Sequence, residues 1–272
     1  MRRAPAAAKI NLALVVGPPR VDGKHEVLTV LQRVDLVDRL ELEQADELRI
    51  EGFTDDTLVA EALRELAQSA ETEPGWRVKI QKRIPVAAGL GGGSSDAATA
   101  LRLANETLAE PVPPDELHDL AAQLGADVPF FLTDGPRLGS GDGTTLAALD
   151  LPQDYWVVLA LPRDSRKPST AEVYAAFDAR GGDDGWESRR DVLFDALERV
   201  RRPRDLAALP PNDLARSPLA DELCALGAFR ADVSGAGPAV YGLFHHRAAA
   251  KAAQRALKRV AHTWLTAPAW YG

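Results

Sequence analysis

The sequence predicts an α+β chain in two domains, and three observations carry that reading. Up to Gly52, apolar and charged residues alternate with period two, as in Leu40/Leu42 and Leu48/Ile50, the signature of a sheet with one wet face. From Leu58 the period becomes helical, with Leu58, Ala62, Leu63 and Leu66 on one face. Beyond Tyr155 the pattern runs strand, helix, strand, strand, helix, strand. The boundary falls between 150 and 151, giving domains 1–150 and 151–272.

The elements follow in order. Ala8–Val16 reads as a strand with Lys9 and Asn11 on one face and Ile10, Leu12 and Leu14 on the other. Two polar side chains projecting together from an apolar strand describe either a half-exposed edge or a site. Gly17-Pro18-Pro19 breaks the strand, and Arg20–His25 forms a polar turn. Strands follow at Val27–Leu36, Asp38–Glu43 and Leu48–Gly52, then the helix from Leu58, then a strand through Trp76, Val78 and Ile80. Ala97, Ala100, Leu101, Ala104 and Leu108 stripe the next helix, which Pro111–Pro114 ends. Leu117, Leu120, Ala121 and Leu124 mark another, stopped by Gly125 in a C′ role. A hairpin is predicted over Gly135–Leu149. The second domain opens with a strand at Tyr155–Leu161 and a helix entered through Pro168–Tyr174, followed by a polar loop at Gly181–Gly185. Helices at Glu187–Val200 and Pro218–Leu226 precede a strand–glycine turn–strand unit over Val233–Gly242. The helix Ala248–Val260 and the strand Thr263–Ala267 close a layer whose order is compatible with a ferredoxin-like sheet.

The chain's centre of gravity is Pro85-Val86-Ala87-Ala88-Gly89-Leu90-Gly91-Gly92-Gly93-Ser94-Ser95, which runs from a strand into an alanine-rich helix beginning near Asp96. Glycines let backbone approach a ligand closely, and a helix start offers unpaired N–H groups and the positive end of a dipole. The stretch therefore reads as a nucleotide-phosphate loop. A Walker A loop needs Lys after its last glycine, and a dinucleotide fingerprint from Gly89 needs Gly at position 94; Ser94 stands in both places. The loop lacks a built-in lysine, so Mg²⁺ and a cation from elsewhere in the chain must meet the γ-phosphate. Asp127 lies two residues before Pro129 and a strongly apolar segment. Capping a short helix would explain an acid there; a catalytic role is the alternative.

Composition narrows the partners. A net charge of −8 argues against a polyanion partner, and the basic run Arg199–Arg204 is broken by Val200 and Pro203 as a solvated helix end would be. The expectation is no nucleic acid, no membrane, a cytoplasmic location and a monomer or weak homodimer. The single Cys224 excludes an internal disulfide and a cysteine zinc cluster, and its apolar neighbours predict a buried thiol.

Taken together, these motifs closely resemble the GHMP kinases, the family of galacto-, homoserine, mevalonate and phosphomevalonate kinases. The resemblance rests on Ala8-Lys9-Ile10-Asn11-Leu12, Arg20–His25, Pro85–Asp96, Leu124–Pro129 and Val233-Ser234-Gly235-Ala236-Gly237-Pro238, in that order and over nearly the whole length. It implies a two-domain GHMP kinase fold: an N-terminal domain like domain 2 of a small-subunit ribosomal protein and a ferredoxin-like C-terminal domain. It implies ATP and Mg²⁺ as cofactors and a small-molecule substrate with a cytidine diphosphate moiety. By resemblance, Asp127 takes the substrate hydroxyl's proton beside Lys9, and Pro85–Ser95 holds ATP. His25 reads the cytosine edge, Asn11 lies near the polyol, and Thr170 and Tyr174 border the substrate, Tyr174 supplying an aromatic wall. No metal ligands are assigned.

The sequence departs from the family pattern in three places. Lys24 stands where a stacking Tyr is usual; its stem can lie along the base while its ammonium reaches the substrate's diphosphate, or it is a solvated turn lysine. Asp56 and Ala60 replace an Asn and an Arg, and Ala236 and Pro238 vary the last glycine motif. A sister kinase for homoserine or a mevalonate derivative is one rival, opposed by the Asp22–His25 turn. A non-catalytic nucleotide sensor is the other, opposed by the presence of both Lys9 and Asp127.

Overall fold

The computed structural model of the chain describes residues 1–53, 57–164 and 169–269. Asp56 and Pro168, noted above, lie outside the described residues. The first half is one sheet with helices against it. Strands β1 (Arg2–Pro19) and β2 (His25–Gln44) form a long antiparallel hairpin. β3 (Arg49–Glu51), β4 (Trp76–Gln81), β5 (Arg137–Ser140) and β6 (Thr145–Ala148) complete the order β3-β4-β2-β5-β6, with β1 on β2. Helices α1 (Thr57–Ser69), α2 (Gly92–Asn105) and α3 (Pro114–Leu124) pack their apolar stripes on it. Leu40, Leu42, Val78 and Ile80 from the sheet meet Leu63, Leu66 and Leu101 from the helices in one buried core.

β1 exceeds the predicted Ala8–Val16 at both ends. Its residues are buried almost without interruption from Ala6 to Val16 because it serves three cores in turn. A strand buried on both faces loses the alternation by which its limits are read. Pro18 and Pro19 do not break it; Pro19 pairs with His25 beyond a register shift. β2 is likewise one strand where two were expected. Ala7 pairs with Val37 and Ala8 with Val34, so Asp35 and Leu36 bulge out, and the Asp35 N–H donates to Ala267 O instead. A bulge shifts the period locally, which imitates a strand end.

The second half contains β7 (Trp156–Pro162), β8 (Arg230–Val233), β9 (Val240–Phe244) and β10 (Ala261–Thr266). Their order is β10-β7-β9-β8, antiparallel throughout, the ferredoxin-like arrangement. Helices α4 (Thr170–Ala179), α5 (Trp186–Arg199), α6 (Pro218–Ala225) and α7 (Arg247–Leu257) belong to this half. Two smaller expectations change. Gly125 ends α3 in extended rather than left-handed backbone (φ 163°), its N–H donating to Ala121 O. Cys224 is exposed, because α6 turns Leu223 inward and leaves the next position outside.

The two sheets share a core. Ile10, Leu12 and Val15 of β1 pack with Tyr155, Val157, Leu159, Tyr241 and Leu243. Polar ties reinforce it: Asp213 accepts from Val16 N–H (2.9 Å) and Arg189 Nε (3.0 Å), while Arg189 Nη2 donates to Val16 O (3.0 Å). These bonds pin the Val16 end of β1 to the second half. Asp213→Ala leaves the Val16 N–H unsatisfied and takes the counter-charge from Arg189, so it should lower unfolding free energy by about 2–3 kcal/mol in urea melts. Asp191→Ala, an exposed acid on α5, should stay within about 0.5 kcal/mol. Equal midpoints for the two variants would show that the tie does not hold the halves together.

Candidate active site

A cleft of about 810 Å³ runs between the glycine loop, β1, β2 and α4. That lies toward the upper end of small-molecule sites, roughly 300–1,000 Å³. Lys9, Asn11, Asp127, Pro85 to Ser94, Thr170 and Tyr174 all line it.

Lys9 and Asn11 share a face of β1, as period two requires. The Lys9 side chain is 4% exposed, and its ammonium lies 2.8 Å from Asn11 Oδ1 and 3.2 Å from Asp127 Oδ2. Asn11 Nδ2 donates to Thr29 Oγ1 (2.8 Å), which donates to Ala13 O (2.9 Å). The chain runs in one direction, so Asn11 must turn its oxygen toward Lys9. Ser234 closes the arrangement from the second half, donating to Gly89 O at 2.8 Å. Asp127 does not cap the 3₁₀ turn Pro129–Leu132: Val128 holds that place and no side chain bonds there. Buried Phe130 and Phe131 anchor the turn and leave the carboxylate at the cleft, 37% exposed. Tyr174 faces it from α4; burial, and then the Asp127 charge, push the phenol up to about 12.

The glycines of the loop have separate reasons. Gly91 caps α2 with φ 68°, and a Cβ there would lie 2.9 Å from the Phe131 ring and 3.0 Å from Lys9 Cγ. A Cβ on Gly89 (φ 81°) would come within 2.3 Å of Ser234 O. The Lys9 N–H donates to Leu90 O (2.9 Å), tying loop to strand. Ala87 holds φ 56°, strained for a residue with a Cβ. No acidic residue occupies the first turn of α2, so its N-terminal N–H groups stay available to an anion. Ser94 lines the cleft, whereas Ser95 is buried in α2.

A lysine does stand at the loop. Lys82 lines the cleft, and its ammonium lies 2.7 Å from both Asp38 Oδ2 and Asp96 Oδ2, two fully buried carboxylates. Asp38 Oδ1 also accepts from the N–H groups of Arg83 and Ile84. Burial draws the Lys82 pKa down, but Asp96 and Asp38 together outweigh it, and the net direction is up. One ammonium thus clamps the strand entering the loop to the helix leaving it. The signal was Lys82-Arg83 directly before the loop, but its partners are distant in sequence.

Lys24 and His25 lie off the cleft lining. The Lys24 ammonium is 2.6 Å from Asp142 Oδ2, and Asp142 lines the cleft. The His25 ring is turned toward α4: Nε2 is 2.7 Å from Asp178 Oδ1, and the ring lies 5.0 Å from that of Tyr174 and edge-on to Phe177. It supports Tyr174 from behind.

The family model for the GHMP kinases N terminal domain matches residues 57–135, and that for the GHMP kinases C terminal region matches residues 217–263. The 4-diphosphocytidyl-2-C-methyl-D-erythritol kinase of Geobacter sulfurreducens (strain ATCC 51573 / DSM 12127 / PCA) is 37% identical over 282 residues, covering 96% of each chain. The chain belongs to the GHMP kinase family. A crystal structure of 4-(cytidine 5'-diphospho)-2C-methyl-D-erythritol kinase matches with TM-score 0.80 at 31% identity, covering 98% of this chain and all of that one. A crystal structure of mevalonate kinase matches with TM-score 0.78 at 16% identity, over 98% of this chain and 99% of that one. The second likeness concerns the GHMP kinase fold alone.

Gly91 and Gly135 give a controlled comparison, since both have φ near +69° but nothing lies within 4 Å of a Cβ on Gly135. Both Ala variants should lose about 1 kcal/mol or more of stability from the backbone. Only Gly91→Ala should also lose at least about tenfold in kcat, because it presses on Lys9. Equal kcat in the two variants would contradict the contact's importance.

Proposed function

We propose that this kinase transfers the γ-phosphoryl group of ATP to the 2-hydroxyl of 4-diphosphocytidyl-2-C-methyl-D-erythritol, giving the 2-phosphate and ADP, a step of non-mevalonate isoprenoid precursor biosynthesis. The observation that carries it is the Lys9–Asp127 pair at 3.2 Å, set between a glycine loop and the Thr170–Tyr174 face of α4. Relatives bearing that activity align over nearly the whole chain. In this reading residues 1–150 supply the nucleotide site and 151–272 close the acceptor side.

Phosphoryl transfer asks the protein mainly for positioning and charge stabilisation. Backbone N–H groups at the start of α2 receive the nucleotide phosphates. Asp127 accepts the proton of the attacking hydroxyl, and Lys9, 3.2 Å from it, meets charge on the transferred group. Two of the three Lys9 N–H directions go to Asn11 and Asp127, leaving one for a substrate oxygen. Asn11, fixed by Thr29, holds Lys9 in register.

Mg²⁺ would enter this cleft with the nucleotide. Among the described residues no three His, Cys, Asp or Glu side chains gather as a protein-built metal site, and Mg²⁺ in nucleotide sites rests largely on phosphates and water. The Ser94 hydroxyl is the oxygen beside the loop that would share it, and the ion would supply charge neutralisation. No helix among the described residues is long and apolar enough to cross a membrane; the proposed substrates are small phosphorylated molecules, which suits a cytoplasmic enzyme.

Asp127→Asn should lower kcat by about 10²–10⁴-fold while melting temperature and ATP affinity stay near wild type. ADP release across the cytidylyl-methylerythritol, homoserine, mevalonate and phosphomevalonate should appear with the first alone. An Asp127→Asn enzyme retaining more than about a third of wild-type kcat would remove the general-base role, and turnover of homoserine or a mevalonate would overturn the substrate.

A further inference from the structure

The turn that joins β8 to β9 reaches from the second half of the chain onto the Lys9 centre. Ser234 Oγ lies 3.4 Å from Asn11 Oδ1 and donates to Gly89 O at 2.8 Å, while Ala239 N–H donates to Ala88 O at 3.0 Å. Gly235 follows with φ 57°, and a Cβ on it would stand 3.5 Å from both Lys9 Nζ and Asn11 Oδ1. Bare backbone therefore forms the wall on that side of the ammonium. Lys9 belongs to β1 and the turn to the other sheet, so their spacing is set by whatever registers one upon the other.

We propose that Asn212 is a positioning residue for Lys9, acting through the Ser234–Gly235 turn. The inference rests on the phosphoryl transfer proposed above and deepens it. Asn212 is buried, and its Nδ2 donates to Val233 O (2.9 Å) and to Gly235 O (2.7 Å). Its Oδ1 accepts from the N–H groups of Leu214 (2.8 Å) and Ala215 (3.4 Å). A side-chain amide has two donors and two acceptor positions, and here all are used, so the group has one orientation. Its own N–H donates to Asp232 Oδ2 at 2.9 Å, at the end of β8. On its other side Asn212 bridges to Leu14 of β1, where Asp213 N–H donates to Leu14 O at 2.9 Å. These ties close a ring. It runs from Leu14 to Asn212, through Gly235 to Lys9 and Asn11, and along β1 back to Leu14. The same amide orients Leu214, which lines the cleft. Aspartate has the same shape but no donors, and its carboxylate would face two carbonyl oxygens. The position calls for an amide.

A purely structural role competes with this one, since removing a buried amide that joins three segments lowers stability whatever the turn does for Lys9. The test therefore reads kcat and KM for ATP from ADP release, well below every melting temperature, for Asn212→Ala and Asn212→Ser. Each is made in wild type and again in Lys9→Met. Asn212→Ala should lower kcat by about tenfold or more, with KM for ATP within about twofold of wild type. Asn212→Ser keeps one donor, should lose at least about threefold, and carries the same test if the alanine chain does not fold. In the Lys9→Met enzyme either substitution should cost less than about twofold, because the group it positions is gone. Smaller losses in variants that melt earlier, or the same fold loss with and without Lys9, overturn the assignment and leave the phosphoryl-transfer reading intact. A wild-type enzyme that releases no ADP with 4-diphosphocytidyl-2-C-methyl-D-erythritol fails at that reading and takes this inference with it.

Discussion

The buried ammonium of Lys9 is the charge on which the rest of the cleft depends. An unpaired cation at that depth costs several kcal/mol, so β1 must bring partners with it. Asn11 stands two residues along on the same face, and the register shift that follows it comes just before Ala13, whose carbonyl takes the Thr29 hydroxyl. Asp127 arrives from beyond α3 because the Phe130–Phe131 turn is packed into the first core. Gly91 has no room for a Cβ because Lys9 passes beneath it. Strand, acid and loop are three consequences of housing one charge.

Lys82 and Lys9 are held differently. Lys82 is paired with two fully buried carboxylates. Lys9 has one acid, itself more than a third exposed, and an amide. Breaking a buried pair of the first kind costs on the order of 3–5 kcal/mol, so the Lys82 clamp keeps the two ends of the loop together while substrates come and go. The Lys9–Asp127 pair lines the cleft, where we propose that charge develops. In the mechanism we propose, two similar lysines on either side of one loop are divided between holding the loop and stabilising the reaction.

Much of this was legible in the chain because it is local. Period two located β2 and β4 and set Lys9 beside Asn11, and an apolar run located β7; the glycine run announced α2, although the helix begins within it at Gly92; an acid ahead of Pro129 and two phenylalanines marked Asp127. What was not legible depends on partners far apart in sequence. Lys82 finds Asp38 forty-four residues upstream and Asp96 fourteen downstream. Lys24 finds Asp142 across two turns of the same sheet. His25 reads as a polar turn residue until α4, from the other half, covers its ring with Tyr174 and Phe177. The limits of β1 and β2 were hidden for a different reason, since a strand buried on both faces and a bulge each erase alternation.

The central claim is that Lys9 and Asp127 act as one unit, and a double-mutant cycle on kcat measures that most directly. With Lys9→Met, Asp127→Asn and the double variant, residues acting together are strongly non-additive. The account predicts that the double variant is no more than about threefold slower than the slower single variant, with all three still binding ATP. Losses that multiply, so that the double variant falls by the product of the two single effects, would show two independent groups and contradict it.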